Sequence, residues 1–288
     1  MTTQYIPSKT STMMIEKNEQ FIKLLLQSFK IDVSKYDENF LNTTLNKRIN
    51  ETHCCSVEAY CDFLVQNNTE VVNLIKALSI CYSEFFRNSL TFSTLEHIIL
   101  PLIVLKKKDS MHKTIRIWSA ACAKGQESYS IAILLEEHNN SINEKINYRI
   151  FATDQFESQV IEAQKGQYNA ASLDNLSLKW VNQWFTIQGD TYSVKKELKD
   201  NIDFSFFDLF CEDFSCPAAS IFGDFDLVFC ANMLFYYKRK YQEIILEKLN
   251  KTLAPGGFLI TGETERDILL HHNFSEVFPR SSIFQKKS

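Results

Sequence analysis

From residue 114 onward, short runs rich in β-branched and aromatic residues alternate with helical stretches. TIRIWSA is followed by a helix to about His138, and YRIFATD by ESQVIEAQKGQY; then come NIDFSFFDL, FDLVFCA, YQEIILEKLNKTL and GFLITGE. A strand that returns parallel to its neighbour needs a crossover, and a helix is the usual one. The alternation therefore predicts a mostly parallel α/β sheet with helices on both faces. Ligands on such sheets bind beyond the carboxyl ends of the strands.

Up to about residue 75 the period is helical. Phe21, Leu24, Leu25 and Phe29 share one face, as do Phe40, Leu41, Thr44, Leu45 and Ile49, and the stretches 57–65 and 71–78 keep the spacing. In SLTFSTLEHIILPLIVLKK, Ser93 and Glu96 have capping-box spacing ahead of an apolar run, and Pro101 is expected to kink or shorten the helix. Gly189-Asp190 sits between two alternating segments and predicts a hairpin turn within a small β insertion.

Thirty-one Lys and Arg against 35 Asp and Glu give a net charge of −4, so no global positive field gathers nucleic acid. Apolar stretches such as 98–105 fall short of the roughly 20 residues that span a bilayer, and the polar start MTTQYIPSKT does not read as a secretory signal. Eight cysteines without a CxxC pair predict reduced, mostly buried thiols in a cytoplasmic protein and no metal site.

Four pieces carry chemistry. IRIWSAACAKGQESYS runs a strand into small residues, one glycine at Gly125, and an acid, Glu127, opening a helix. Small side chains let a ligand lie against the backbone, and the free N–H groups of the helix start face it. An acid there repels phosphate and suits an ammonium, although it equally complements the helix dipole. That acid and the single glycine disfavour a dinucleotide pyrophosphate. Asp154, closing YRIFATD, is placed either to accept hydrogen bonds from ribose hydroxyls or to cap the helix near Glu157. FDLVFCANMLFYY presents Asn232 and Tyr236 beyond a buried strand, where an aromatic run alone reads as core. SEFFRN sets Arg87 after two phenylalanines, which alone reads as a solvated helix end.

SEFFRN, WSAACAKGQESYS, ATD, FDLVFCANMLFYY and LAPGGFLITGETE, in this order, resemble the chemotaxis receptor methyltransferases (CheR-like), S-adenosylmethionine-dependent protein-glutamate O-methyltransferases. The resemblance implies a Rossmann-like class I methyltransferase sheet preceded by an all-helical domain. It divides the chain into a helical domain (1–75), a connecting segment and helix (76–113), and a cofactor domain (114–288) with the β insertion at about 184–206. It implies a cofactor site drawn from Cys81, Ser83, Arg87, Gly125, Glu127, Asp154, Asp208, Leu209, Ala231 and Asn232, with Arg87 and Tyr236 near the transferred methyl. S-adenosylhomocysteine is the implied product.

The family pattern usually has Asn at Cys81, Thr at Ser83, Pro at Ser128 and Arg at Ala231, and its Asn-Leu pair is Asp208-Leu209 here. Cys81 loses an amide and Ala231 a charge, so a cofactor-sensing module without turnover is an alternative. The family's basic helical domain faces an acidic receptor, whereas residues 1–75 hold seven Lys and Arg against nine Asp and Glu. A local patch at Lys47-Arg48 is the one attraction expected, and a non-receptor substrate is therefore a further alternative. The hairpin around Gly189 looks shorter than those that grip a receptor's pentapeptide tether, so no tether is expected, nor any membrane insertion.

Overall fold

The computed structural model describes residues 9–79, 82–108, 110, 113–141, 145–272 and 274–286, with side chains from residue 19 to 285. Two compact units emerge. One combines Met1–Ile80 with Tyr236–Tyr241; the other combines Cys81–Phe235 with Gln242–Ser288.

The first unit holds α1 (Lys9–Phe29), α2 (Glu38–Glu51), α3 (Val57–Gln66) and α4 (Asn68–Leu78). Asp37, Ser56 and Asn67 cap α2, α3 and α4 by accepting bonds from first-turn amides, satisfying donors the helices leave over. The apolar faces meet in a core of Phe21, Leu25, Leu41, Leu45, Tyr60 and Leu74. Beside that core Arg48 grips Glu70 with two bonds, 2.8 Å from Nε and 2.6 Å from Nη2, and Tyr60 donates to the same carboxylate at 2.7 Å. Burial works against the Glu70 charge, yet the Arg48 and Tyr60 hydrogen bonds hold its pKa below the ordinary range.

This network removes the expected basic patch. Arg48 is neutralised by Glu70 and Glu51, and Lys47 lies 4.0 Å from Glu51. Positive charge arrives from elsewhere. Tyr36 bridges to Tyr237 with rings stacked at 5.2 Å, and Lys238 N donates to Lys35 O at 3.0 Å. The segment thus brings Lys238, Arg239 and Lys240 into the unit, which now holds eleven Lys and Arg against nine Asp and Glu. The deficit read from residues 1–75 becomes a small excess.

In the second unit, α5 (Ser89–Thr94), a π turn (Leu95–Ile99) and α6 (Leu100–Lys108) form one continuous helix. It begins after Asn88, so Ser93 lies inside it and caps nothing. Pro101 does not break it. The π turn bonds Leu100 N to Leu95 O, and this wider turn lets the ring of Pro101 clear the preceding carbonyls. By length and composition this helix, Ser89–Lys108, could cross a bilayer, but its Leu95, Ile99, Leu100 and Ile103 are buried in the core of the unit.

The remaining elements are β1 (Ile115–Ala120), α7 (Gln126–Ser141), β2 (Tyr148–Asp154), α8 (Glu157–Lys165), β3 (Gln167–Tyr168), α9 (Leu178–Trp184), β4 (Phe185–Gln188), β5 (Thr191–Val194), α10 (Lys196–Lys199), β6 (Ile202–Phe206), β7 (Phe225–Phe229), α11 (Arg239–Thr252), β8 (Leu253–Ile260), α12 (Arg266–Leu270), β9 (Phe274–Glu276) and β10 (Ile283–Lys286). The main sheet runs β6-β2-β1-β7-β8-β10-β9. Its first five strands are parallel and β10 is antiparallel to both neighbours. β1 sits where the order reverses, its neighbours β2 and β7 leading away on either side. β7 is buried at all five positions, the pattern of a strand covered on both faces.

Gly189-Asp190 does turn a hairpin, β4 to β5, with Gly189 at φ +57°. The small sheet is bounded differently from the sequence reading. Its third strand is β3, and Ile202–Phe206 is the edge strand of the main sheet, because those residues pair with Ile150–Asp154. Among the described cysteines all are free thiols, but only Cys122 and Cys230 are buried.

Candidate active site

The loops after β1, β2, β6, β7 and β8 all leave the carboxyl edge of the sheet, and most of the candidate residues sit on them. After β1, Cys122 N bonds Thr153 O at 2.8 Å and Gly125 N bonds Cys122 O at 2.9 Å, winding the chain into α7. Ala121, Ala123 and Gly125 have φ of +68°, +47° and +87°. Alanine at positive φ carries strain of about 1–2 kcal/mol, which such sites tolerate when the surroundings hold the loop. Gly125 has a reason besides its φ: a Cβ there would lie 3.0 Å from Ala163 Cβ and 3.2 Å from the Phe204 ring. Its side faces the protein, so packing against α8 and β6 by itself requires glycine.

Glu127 lies in the first turn of α7, and Ser119 Oγ at the end of β1 donates to its Oε1 at 2.7 Å. Burial pushes its pKa up to about 7, against the Ser119 bond and the positive charge of Arg87, and the negative charge of Glu265 adds to the rise. Next to it the Oε1 of Gln126 is buried with no hydrogen-bond partner among the described residues.

Arg87 reaches this neighbourhood because the two phenylalanines before it are anchored. Phe85 is fully buried and its carbonyl accepts from Asn175 at 3.1 Å. Phe86 stacks on Trp180 at 4.6 Å, and its N–H bonds Ser130 Oγ at 3.0 Å. The Arg87 guanidinium lies over Tyr82, 5.0 Å from the ring centre. Ser83 belongs to the same partly buried segment; Cys81 lies outside the described residues.

Asp154 performs a structural task that neither sequence reading anticipated. Its Oδ1 accepts from Phe156 N at 2.9 Å and its Oδ2 from Ala123 N at 3.0 Å, tying the end of β2 to the β1 loop. Phe156, not Asp154, is the N-cap of α8. The Gln155 amide bonds the same carboxylate, which leaves one of its roughly four acceptor positions open. After β6, Asp208 Oδ1 accepts from Phe210 N at 2.9 Å, and Leu209 is buried. Lys248 on α11 pins this loop through the carbonyls of Cys211 and Phe214.

After β7, Ala231 and Asn232 are partly exposed, with Asn232 at φ +61°. Asn232 N is held by Glu265, a residue the sequence reading did not single out. Ser119 was likewise passed over. Tyr236 belongs to the helical unit, where its carbonyl accepts from Asp37 N at 2.7 Å and its ring meets Phe40 edge-on at 4.8 Å. Its assignment to methyl transfer rests on the resemblance alone. The structure thus gathers Arg87, Glu127, Asp154 and their loops on one unit and assigns Tyr236 to the other.

Residues 82–281 match the CheR methyltransferase SAM binding domain, and residues 17–79 match the CheR methyltransferase all-alpha domain. The chain belongs to the CheR methyltransferase family. A relative named chemotaxis protein methyltransferase, from Borreliella burgdorferi, is 31% identical over 87% of this chain and 89% of its own length. One of the same name from Salmonella typhimurium is 30% identical over 73% of this chain and 69% of its own. Among solved structures, PKMT2 from Rickettsia typhi in complex with AdoHcy gives a TM-score of 0.35 at 15% identity over 64% of this chain and 29% of that one, too slight a likeness to bear on the site.

S-adenosylmethionine is the cofactor of this CheR-family SAM binding domain, and the residues present fit it. Its amino-acid end is a zwitterion. Glu127 offers an anion for the ammonium, Arg87 a guanidinium for the carboxylate, and the amides opening α7 favour negative charge in the same place. The orphaned Gln126 carbonyl is the further sign that this helix start is built to receive a polar group.

Proposed function

We propose that this chain forms γ-methyl esters on glutamate side chains of a protein, and that the protein is a chemoreceptor or a receptor-like signalling partner in the cytoplasm. The observation that carries the reading is the opposed pair at the head of α7: a carboxylate held near neutrality by burial, with Arg87 close enough to lower its pKa.

The cofactor supplies an electrophilic methyl. Bound here, it would give that methyl to a substrate carboxylate oxygen, the new C–O bond replacing the S–C bond and sulfur keeping the electron pair. No proton moves and two opposite charges are neutralised, so the protein's task is alignment and exclusion of water. Glu127 and Arg87 fix the amino-acid end, with Ser83 and Gly125 bordering it. Asp154 receives a ribose hydroxyl through its remaining acceptor position, Asp208 and Leu209 edge the adenine, and Ala231 and Asn232 line the loop. Arg87 also suits an incoming carboxylate, since its planar fork matches that geometry. Tyr236 is an orienting hydroxyl.

The excess of cations over acids in the helical unit supports an acidic partner surface. β4 and β5, of four residues each, leave little edge on which to seat a tether peptide. The test is transfer of tritiated methyl to a receptor fraction, scored as base-labile volatile counts. Their absence from a chain that still binds S-adenosylhomocysteine sinks the substrate claim.

A further inference from the structure

We propose that Glu265 is a positioning residue for the cofactor site, its carboxylate fixing the loop after β7 to the end of β8. The inference rests on reading this crevice as the cofactor site.

Glu265 is fully buried. Its Oε2 accepts from Asn232 N and Gly262 N, both at 2.8 Å, and its Oε1 accepts from Leu234 N at 2.6 Å. These amides belong to two separate loops at the carboxyl edge, one following β7 and one following β8. A neutral side chain of this size lacks two acceptor-only oxygens, so an amide in its place would turn an N–H toward main-chain N–H groups. A buried carboxylate is tolerated because every bond it makes is one that its charged form strengthens.

The restraint has a consequence for Asn232, whose φ of +61° is sparsely populated for a residue with a side chain. Gly262 shows how closely the two loops are drawn together: a Cβ there would lie 2.7 Å from Asn232 Oδ1. Glu265 therefore sets where the Asn232 side chain points.

The second effect is electrostatic. Glu127 is faced by Ser119 from β1, Arg87 from the segment before α5, Glu265 from beyond β8, and the thiols of Cys122 and Cys230, both pushed up by burial and neutral. Glu265 is the other carboxylate of that set; burial raises its own pKa against the amide bonds that favour its charge. Ionised, it adds to the rise that burial chiefly causes in the Glu127 pKa.

The experiment is calorimetric titration of S-adenosylhomocysteine into the full chain from pH 5.5 to 8.5, with thermal melts on the same samples. In the wild type, affinity falls as pH drops through the ionisation of Glu127. Glu265→Gln is expected to bind at least about tenfold more weakly at pH 7.5 and to move the break in the pH profile down. Gly262→Ala displaces Asn232 while leaving the charge, so it weakens binding without moving the break. A folded Glu265→Gln that binds within twofold of wild type, or whose break does not move, overturns the proposal. If Glu265→Gln does not fold, wild-type affinity in a folded Gly262→Ala overturns it instead. A wild-type chain that binds no S-adenosylhomocysteine at millimolar concentration is a different result, and refutes the cofactor reading itself.

Discussion

Replacing Glu127 by glutamine separates what the site needs from what the fold prefers, because the two respond with opposite signs. The Glu127 pKa rises from 4.5 to about 7 in the folded chain. Between those values the folded chain holds a proton that the unfolded chain has released, so Glu127 makes stability fall as pH climbs through that window. The span corresponds to about 3 kcal/mol for a fully enclosed group. Part of the Glu127 side chain still meets water, and allowing for that halves the figure to about 1.5 kcal/mol. Glutamine carries no charge to desolvate, and its carbonyl can still accept from Ser119. Glu127→Gln is therefore expected to melt roughly 3–6 °C higher than wild type at pH 8, with the gap closing toward pH 4.5. The same variant loses a charge-assisted bond to the ligand ammonium, worth about 1.5–3 kcal/mol, so S-adenosylhomocysteine affinity drops about 10- to 100-fold. Differential scanning calorimetry at pH 4.5, 6 and 8, paired with ligand titration, measures both. A variant that is less stable at pH 8, or whose stability difference ignores pH, shows that Glu127 is not held against its charge and removes the argument for an ammonium site.

Asp154→Ala is expected to weaken S-adenosylhomocysteine binding at least tenfold, about 1.4 kcal/mol, and to lower the melting temperature because the Ala123 and Phe156 amides lose their acceptor; unchanged affinity shows that the ribose assignment is wrong. Glu70→Ala leaves Arg48 and Tyr60 without their shared partner and should cost the helical unit roughly 3 kcal/mol or more in urea unfolding, with the cofactor affinity of the other unit unaffected. Asp226→Asn breaks the half of a buried pair that faces Lys107 at 2.9 Å, and a loss of about 3 kcal/mol in the same assay is the expected reading. A receptor-tail pentapeptide should show no measurable affinity at micromolar concentration by fluorescence anisotropy; saturable binding there contradicts the tether reading.

The parallel core of the sheet was legible because short runs rich in β-branched and aromatic residues alternate with helical stretches, a signal that survives without tertiary context. β9 and β10 were not, since strands of three and four residues are too short for a period to register. The buried stripes of the first unit followed from local spacing, but Pro101 did not end its helix, because a π turn is selected by packing and leaves no trace in residue type. At the site, Glu127 stood out as an acid opening a helix and Asp154 as an acid closing a strand. Glu265 did not, because its partners are main-chain amides up to 33 residues away, and any residue type could have supplied them. Arg48 looked like a free surface cation for the same reason: the acid that neutralises it lies 22 residues further on.

The Tyr236–Tyr241 segment makes the helical unit discontinuous, and this bears on how the chain is born. During synthesis at roughly 5–20 residues per second, the helices α1 to α4 leave the ribosome long before Tyr237 can stack on Tyr36. The unit waits on the order of ten seconds or more for its last segment, with Tyr36 uncovered. Cutting the gene after residue 80 therefore does not release a finished module, and grafting these helices onto another protein requires carrying residues 236–241 with them.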